Sequence, residues 1–97
     1  MEALFTELKG QIAGVIFTPY HHVTWGDQIM PPAGWHEEVR RLCDSEGALF
    51  IMDDIRANFC LSINGSHTVT GVRQDMVTMD KSLASGYPIG VLREVKD

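Results

Sequence analysis

An apolar run and a short strand-like run end in groups that can do chemistry. Ala48 to Met52 breaks abruptly into Asp53-Asp54, and Met76 to Met79 leads into Asp80-Lys81. If both runs are strands and neighbours, ~4.8 Å apart, a carboxylate and an amine reach into one crevice, at the sheet end where open α/β folds bind ligands. Three chemistries use such a pair. An apolar strand ending in acids can hold the magnesium of a nucleotide site, but the G-x-x-x-x-G-K-[ST] loop that cradles the phosphates is missing. A receiver-type phosphoacceptor site also combines an acidic pair with a lysine. There the acids end the first strand, and the 44 residues that follow Asp53 cannot supply the rest of such a domain. The third is a pyridoxal phosphate site, in which a lysine forms a Schiff base with the cofactor and an aspartate keeps the pyridine nitrogen protonated. The protonated ring accepts the electrons left when a bond at an amino acid's α-carbon breaks, while a lysine amine attacks the aldehyde and later shuttles a proton. Spacing alone leaves a plainer reading open, with Asp53 capping a turn and Lys81 a solvated surface charge.

The elements that must position these groups follow from periodicity. Leu4, Phe5 and Leu8 share one face of a short helix that Gly10 stops. Ile12 to Phe17, nearly all apolar and rich in β-branched residues, reads as a strand buried on both faces. Pro19 ends it, and Tyr20 to Gly34, punctuated by glycine and proline, reads as a long loop of the kind that carries function. Trp35, Val39, Leu42 and Cys43 recur at i, i+4, i+7 and i+8 opposite charged residues, an amphipathic helix that Gly47 stops. Strand, helix, strand from Ile12 to Met52 makes a βαβ unit with a parallel pair. Beyond it come a turn at Asn64-Gly65-Ser66, one helical turn before Gly71, a third strand at Met76 to Met79 and a last strand over Tyr87 to Leu92. The fold class is α/β with a partial, mostly parallel sheet. Two helices that can lie on one side leave the other side of that sheet uncovered.

At 97 residues and 10.8 kDa the chain holds a single unit. Eight basic against thirteen acidic residues give a net charge of −5, which argues against nucleic acid or an anionic membrane as partner. No apolar run approaches the ~20 residues of a membrane span, and Glu2, Glu7 and Lys9 break up any signal-peptide pattern. The expected location is cytoplasmic. Cys43 and Cys60 lack C-x-x-C spacing and are expected to be free, buried thiols. His21-His22 with Asp27 make a poor metal site, since adjacent histidines point apart and no third ligand is suitably spaced. His36 and His67 are expected to face solvent, and Trp25 and Trp35 to pack.

With these residues assigned, the sequence resembles a known family. Leu49-Phe50-Ile51-Met52-Asp53-Asp54-Ile55-Arg56-Ala57-Asn58-Phe59 and Asp80-Lys81-Ser82-Leu83-Ala84-Ser85-Gly86-Tyr87-Pro88-Ile89-Gly90 resemble the class III aminotransferases of PLP fold type I, above all the glutamate-1-semialdehyde aminomutase-like branch. Ile12 to Pro19, Met30 to Trp35 and Val39 to Leu49 resemble the strand, loop and helix that precede the cofactor aspartate there. The resemblance implies pyridoxal 5'-phosphate as cofactor, with Asp53 pairing with the pyridinium, Ile55 packing on the ring face and Lys81 carrying the Schiff base. It implies small-molecule amino donors and acceptors, a small amino acid or amino ketone as substrate, and a homodimer for the full-length parent. Asp54 stands where many members have Glu, Asn58 where many have Gly, and Thr18 where many have Glu. Tyr20 and His22 would border the substrate pocket, and the role of Arg56 stays open.

In that family the phosphate is held by an upstream glycine- and serine-containing turn and by a residue of the partner subunit. Neither segment is found among these 97 residues, and Asn64-Gly65-Ser66 is a substitute only by composition. Met1 and Asp97 are thus expected to fall inside the large domain, leaving a segment incomplete for catalysis alone. The alternative is a non-catalytic remnant or interaction module that keeps the βαβ core and associates through uncovered sheet.

Overall fold

A computed structural model describes residues 1–95; Lys96 and Asp97 lie outside the described residues. The elements run α1 (Glu2–Glu7), β1 (Gly14–Phe17), α2 (Trp35–Glu46), β2 (Leu49–Asp53), α3 (His67–Thr70), β3 (Met76–Met79) and β4 (Val91–Glu94). They form one four-stranded sheet in the order β1-β2-β3-β4. The first three strands are parallel, and β4 returns antiparallel to β3.

Strand register sorts the side chains onto two faces. Phe50 and Met52, both fully buried, point with Val77 toward the side on which α1 and α2 supply Phe5, Val39, Leu42 and Cys43. Phe17 reaches the same cluster, edge-on to Trp35 at 4.8 Å and tilted against Phe50 at 5.2 Å. Each such large side chain contributes about 1.5–3 kcal/mol by leaving water. The opposite face carries Ile16, Leu49 and Leu92, at 57%, 46% and 62% exposure. Here β1 departs from expectation. It is an edge strand with one face uncovered, so it is not buried on both sides.

α2 ends at Gly47, whose left-handed φ of 67° lets its N–H reach back toward Cys43. Asp75 then ties helix and sheet together. Its carboxylate accepts from the Phe50 N–H at 2.7 Å and from Arg40 at 2.8 Å, while its own N–H donates to the Phe50 carbonyl at 2.8 Å. Asp75→Asn keeps an acceptor for Phe50 but removes the charge facing Arg40, which retains Asp44 at 2.6 Å. Since both partners are partly exposed, we expect urea denaturation to show a loss of about 1 kcal/mol.

Several expectations are corrected. The last strand begins at Val91 rather than Tyr87, because Tyr87 and Ile89 give their N–H groups to turn carbonyls and Pro88 has none to give. The loop from Tyr20 to Gly34 is pinched by paired backbone bonds between His21 and Ile29. Trp25 sits at its tip, 96% exposed, and packs on nothing. Cys43 is buried and free as expected, but Cys60 is exposed. His36, expected to face solvent, is only 5% exposed and lies edge-on to Trp35 at 5.1 Å. It stands one position after Trp35, at the start of α2, where the chain around Pro19 covers it.

Burial holds the His36 imidazole below its ordinary value of 6.5, with Glu37 and the Pro19 carbonyl pulling the other way only in part. Protonation therefore costs the folded chain more than the unfolded one. The stability tied to neutral His36 is complete above about pH 6.5 and is lost as pH falls from there through the lower folded value. Melting curves at about pH 7.5 and about pH 5.5 should show a larger drop for the native chain than for His36→Gln. Equal drops would remove His36 as the cause.

Candidate active site at the carboxyl end of the sheet

Asp53 is the last residue of β2 and pairs in register with Thr78 of β3. Paired residues point to the same side of a sheet, and the Thr78 hydroxyl donates to Asp53 Oδ1 at 3.3 Å. The Ile55 N–H reaches the same oxygen at 3.3 Å, so one carboxylate oxygen is anchored from both sides. No hydrogen bond from the described residues reaches Asp53 Oδ2. Half-buried Ile55 follows in the loop after β2, and exposed Lys81 stands two residues past the end of β3.

Those two loops are bonded to each other. The two N–H protons of the buried Asn58 side-chain amide are shared among the carbonyls of Asp54 at 2.7 Å, Ile55 at 2.9 Å and Asp80 at 3.0 Å, the last being the residue before Lys81. Exposed Cys60 lies 3.6 Å from the Ser82 hydroxyl. Backbone strain gathers in the same place. Phe59, Lys81 and Ser85 hold left-handed φ values of 60°, 45° and 51°, and no other described non-glycine residue does. A left-handed residue with a Cβ costs roughly 1–2 kcal/mol, a burden that clusters at functional sites.

Asp54 does something different from its neighbour. Strand alternation turns it to the buried face, where it is 2% exposed. The Ser66 hydroxyl donates to it at 2.5 Å and the Ser66 N–H at 3.4 Å. Burial pushes the Asp54 carboxyl above its usual range, against the pull of those two bonds. This arrangement removes Asn64-Gly65-Ser66 as a phosphate turn, because both Ser66 donors face the Asp54 carboxylate and Ser66 is 1% exposed.

Tyr20 borders an apolar cavity of about 310 Å³ with Phe17, Ile29, Met30 and Trp35, while His22 turns to Gln28 at 3.1 Å. A second cavity of about 380 Å³, of mixed lining, lies beside Asp54, His67, Gln74, Val77 and Met79. Neither cavity is lined by Asp53 or Lys81. Among the described residues no group of three or more His, Cys, Asp or Glu could hold a metal, and no helix is long and apolar enough to cross a membrane.

Comparison with solved structures identifies the fold. The FumI protein of Sphingopyxis sp., solved in its PLP internal aldimine form, superposes with a TM-score of 0.88 at 34% identity, over 96% of this chain and 22% of that one. The N-acetylornithine aminotransferase of Stenotrophomonas maltophilia superposes with a TM-score of 0.76 at 30% identity, over 94% of this chain and 25% of that one. The sheet is thus that of the PLP-dependent transaminases. The sequence pattern described as Aminotransferase class-III matches residues 1–95, and the chain belongs to that family.

Among sequence relatives, the 3-aminobutyryl-CoA aminotransferase of Cloacimonas acidaminovorans is 36% identical over 92 residues, 95% of this chain and 22% of its own length. The glutamate-1-semialdehyde 2,1-aminomutase of Acetivibrio thermocellus is 40% identical over 91 residues, 93% of this chain and 21% of its own length. The chain therefore spans about a fifth of the length of the curated relatives it matches.

Proposed function

We propose that this segment holds pyridoxal phosphate through Asp53, Ile55 and Lys81 and serves amino-group transfer or migration on a small amino acid or amino ketone. One observation carries the reading: Asp53 and Thr78 are paired on adjacent strands, and Lys81 leaves the second of those strands three residues beyond Thr78. The Asp53 carboxylate fits a ring N–H, because its Oδ1 is fixed by Thr78 and Ile55 and leaves the second oxygen to accept. Ile55 supplies an apolar surface next to that carboxylate. Lys81 would hold the cofactor at its aldehyde, its amine being the nucleophilic group placed past the end of the strand that pairs with β2. Bound this way, the cofactor supplies an acceptor for the electrons released at an amino acid's α-carbon.

The family membership and the PLP-bound relatives support pyridoxal phosphate as the cofactor. The names of the relatives support both a transaminase and a mutase outcome, and a homodimer for the whole protein belongs to the same proposal. To test the reading, the protein is mixed with pyridoxal phosphate, reduced with borohydride and digested. We expect one pyridoxyl group, mapped to Lys81. Label spread over Lys9, Lys81 and Lys96, or no label, would refute it.

The uncovered face with Ile16, Leu49 and Leu92 favours a second reading, an interaction module that keeps the βαβ core. That outcome goes with absence of the Lys81 adduct.

A further inference from the structure

We infer that Asn58 is a positioning residue for Lys81, clamping the loop after β3 to the loop after β2; the inference rests on the function proposed for Lys81. The Asn58 side chain is 1% exposed, and its Nδ2 lies within 3.0 Å of the carbonyl oxygens of Asp54, Ile55 and Asp80. That environment fixes which way the amide points, since a swapped amide would press its oxygen against three others. The Oδ1 atom, by contrast, has no hydrogen-bond partner among the described residues. Leaving a buried amide oxygen unpaired is unfavourable, so the donors are the working end of this side chain.

Asp80 is the point of leverage. Its carbonyl receives Asn58 from one side and the Leu83 N–H, at 3.0 Å, from the other. This fixes the peptide plane between Asp80 and Lys81. The left-handed φ of Lys81 is the rotation immediately after that plane, and its carbonyl in turn accepts the Ser85 N–H at 2.8 Å. A strained residue persists only where its surroundings over-determine it. Asn58 is the buried side chain that joins this turn to the loop following Asp53, beside the exposed contact of Cys60 with Ser82, and thereby couples the positions of the two groups proposed to grip one cofactor.

The test compares the native protein with Asn58→Ala and Asn58→Asp, the latter equal in size but with carboxylate oxygens facing the three carbonyls. Hydrogen exchange of the peptide covering residues 80–87 is expected to rise about tenfold in Asn58→Ala and further in Asn58→Asp. Exchange in β1 and β2 should stay unchanged, which controls for unfolding. Growth of the visible pyridoxal band assigned to Lys81 is expected to slow by about tenfold in step with the exchange. Unchanged exchange in residues 80–87 overturns the clamp, and raised exchange with an unchanged rate of band growth overturns the positioning role. If the native protein forms no Lys81 adduct, the function proposed above fails and this role falls with it, whereas the exchange data still judge the clamp separately.

Discussion

Lys81→Ala is expected to abolish the visible pyridoxal band and the borohydride-fixed adduct altogether. The chain has three lysines, at positions 9, 81 and 96. Lys9 follows α1, and the neighbouring Gly10 N–H bonds to Glu46, which lies just before the amino end of β2. It therefore stands at the opposite end of the sheet from Asp53. Lys9 shares a cavity with Glu2 and Glu46 but stands apart from Asp53, Ile55 and Thr78, so any adduct it forms is expected to be unselective. Lys81→Arg sharpens the test, because arginine keeps the positive charge but cannot be deprotonated to condense with an aldehyde. Both variants should lose the band equally. A band that survives in Lys81→Arg would mean that charge, and no covalent bond, holds the ligand.

Asp53→Ala should weaken retention of pyridoxal phosphate roughly ten- to a hundredfold, the range that corresponds to about 1.5–3 kcal/mol for a hydrogen bond to a charged group. The substitution also leaves the Thr78 hydroxyl and the Ile55 N–H without their shared acceptor. Asp53→Asn separates the two effects. Asparagine can still accept from Thr78 and Ile55, but it lacks the negative charge that keeps a ring nitrogen protonated. We expect Asp53→Asn to retain the cofactor better than Asp53→Ala but less well than the native protein. Dialysis of the loaded protein followed by absorbance measures retention, and equal retention in all three proteins would take Asp53 out of the site.

The parts of this architecture that can be read from residues alone are those set by short-range periodicity. Met76–Met79 is legible because its four residues form one uninterrupted run, and α2 because its apolar spacing ends at a glycine. The third helix is signalled by Gly71, whose φ of 74° closes it. What escapes depends on neighbours that are remote in the chain. Whether a β-branched run is buried on one face or two depends on which helices cover it, and β1 at the sheet edge has only one cover. His36 sits one residue after Trp35, a position that helical periodicity treats as outward; the chain around Pro19 buries it.

For the site, Asp53 and Lys81 stand out because an apolar run and a short strand-like run end at them. Thr78 does not, although the pairing of β2 with β3 places it opposite Asp53 once the register is known. Asn58 shows in the sequence only as a departure from the family pattern. Its three carbonyl partners come from two separate loops, and no local spacing encodes that meeting. Asp54 and Ser66, twelve positions apart, form a buried pair for the same kind of reason. The turn containing Ser66 has the composition of a phosphate grip, and only the direction of its hydroxyl shows otherwise.

A crystal structure of the protein after pyridoxal phosphate loading and borohydride reduction tests the convergence of acid and amine most directly. We expect continuous density from Lys81 Nζ to the pyridoxyl carbon, with the ring nitrogen about 2.7–2.9 Å from Asp53 Oδ2. A pyridoxyl group on another lysine, or a ring on Lys81 whose nitrogen faces solvent away from Asp53, would contradict it.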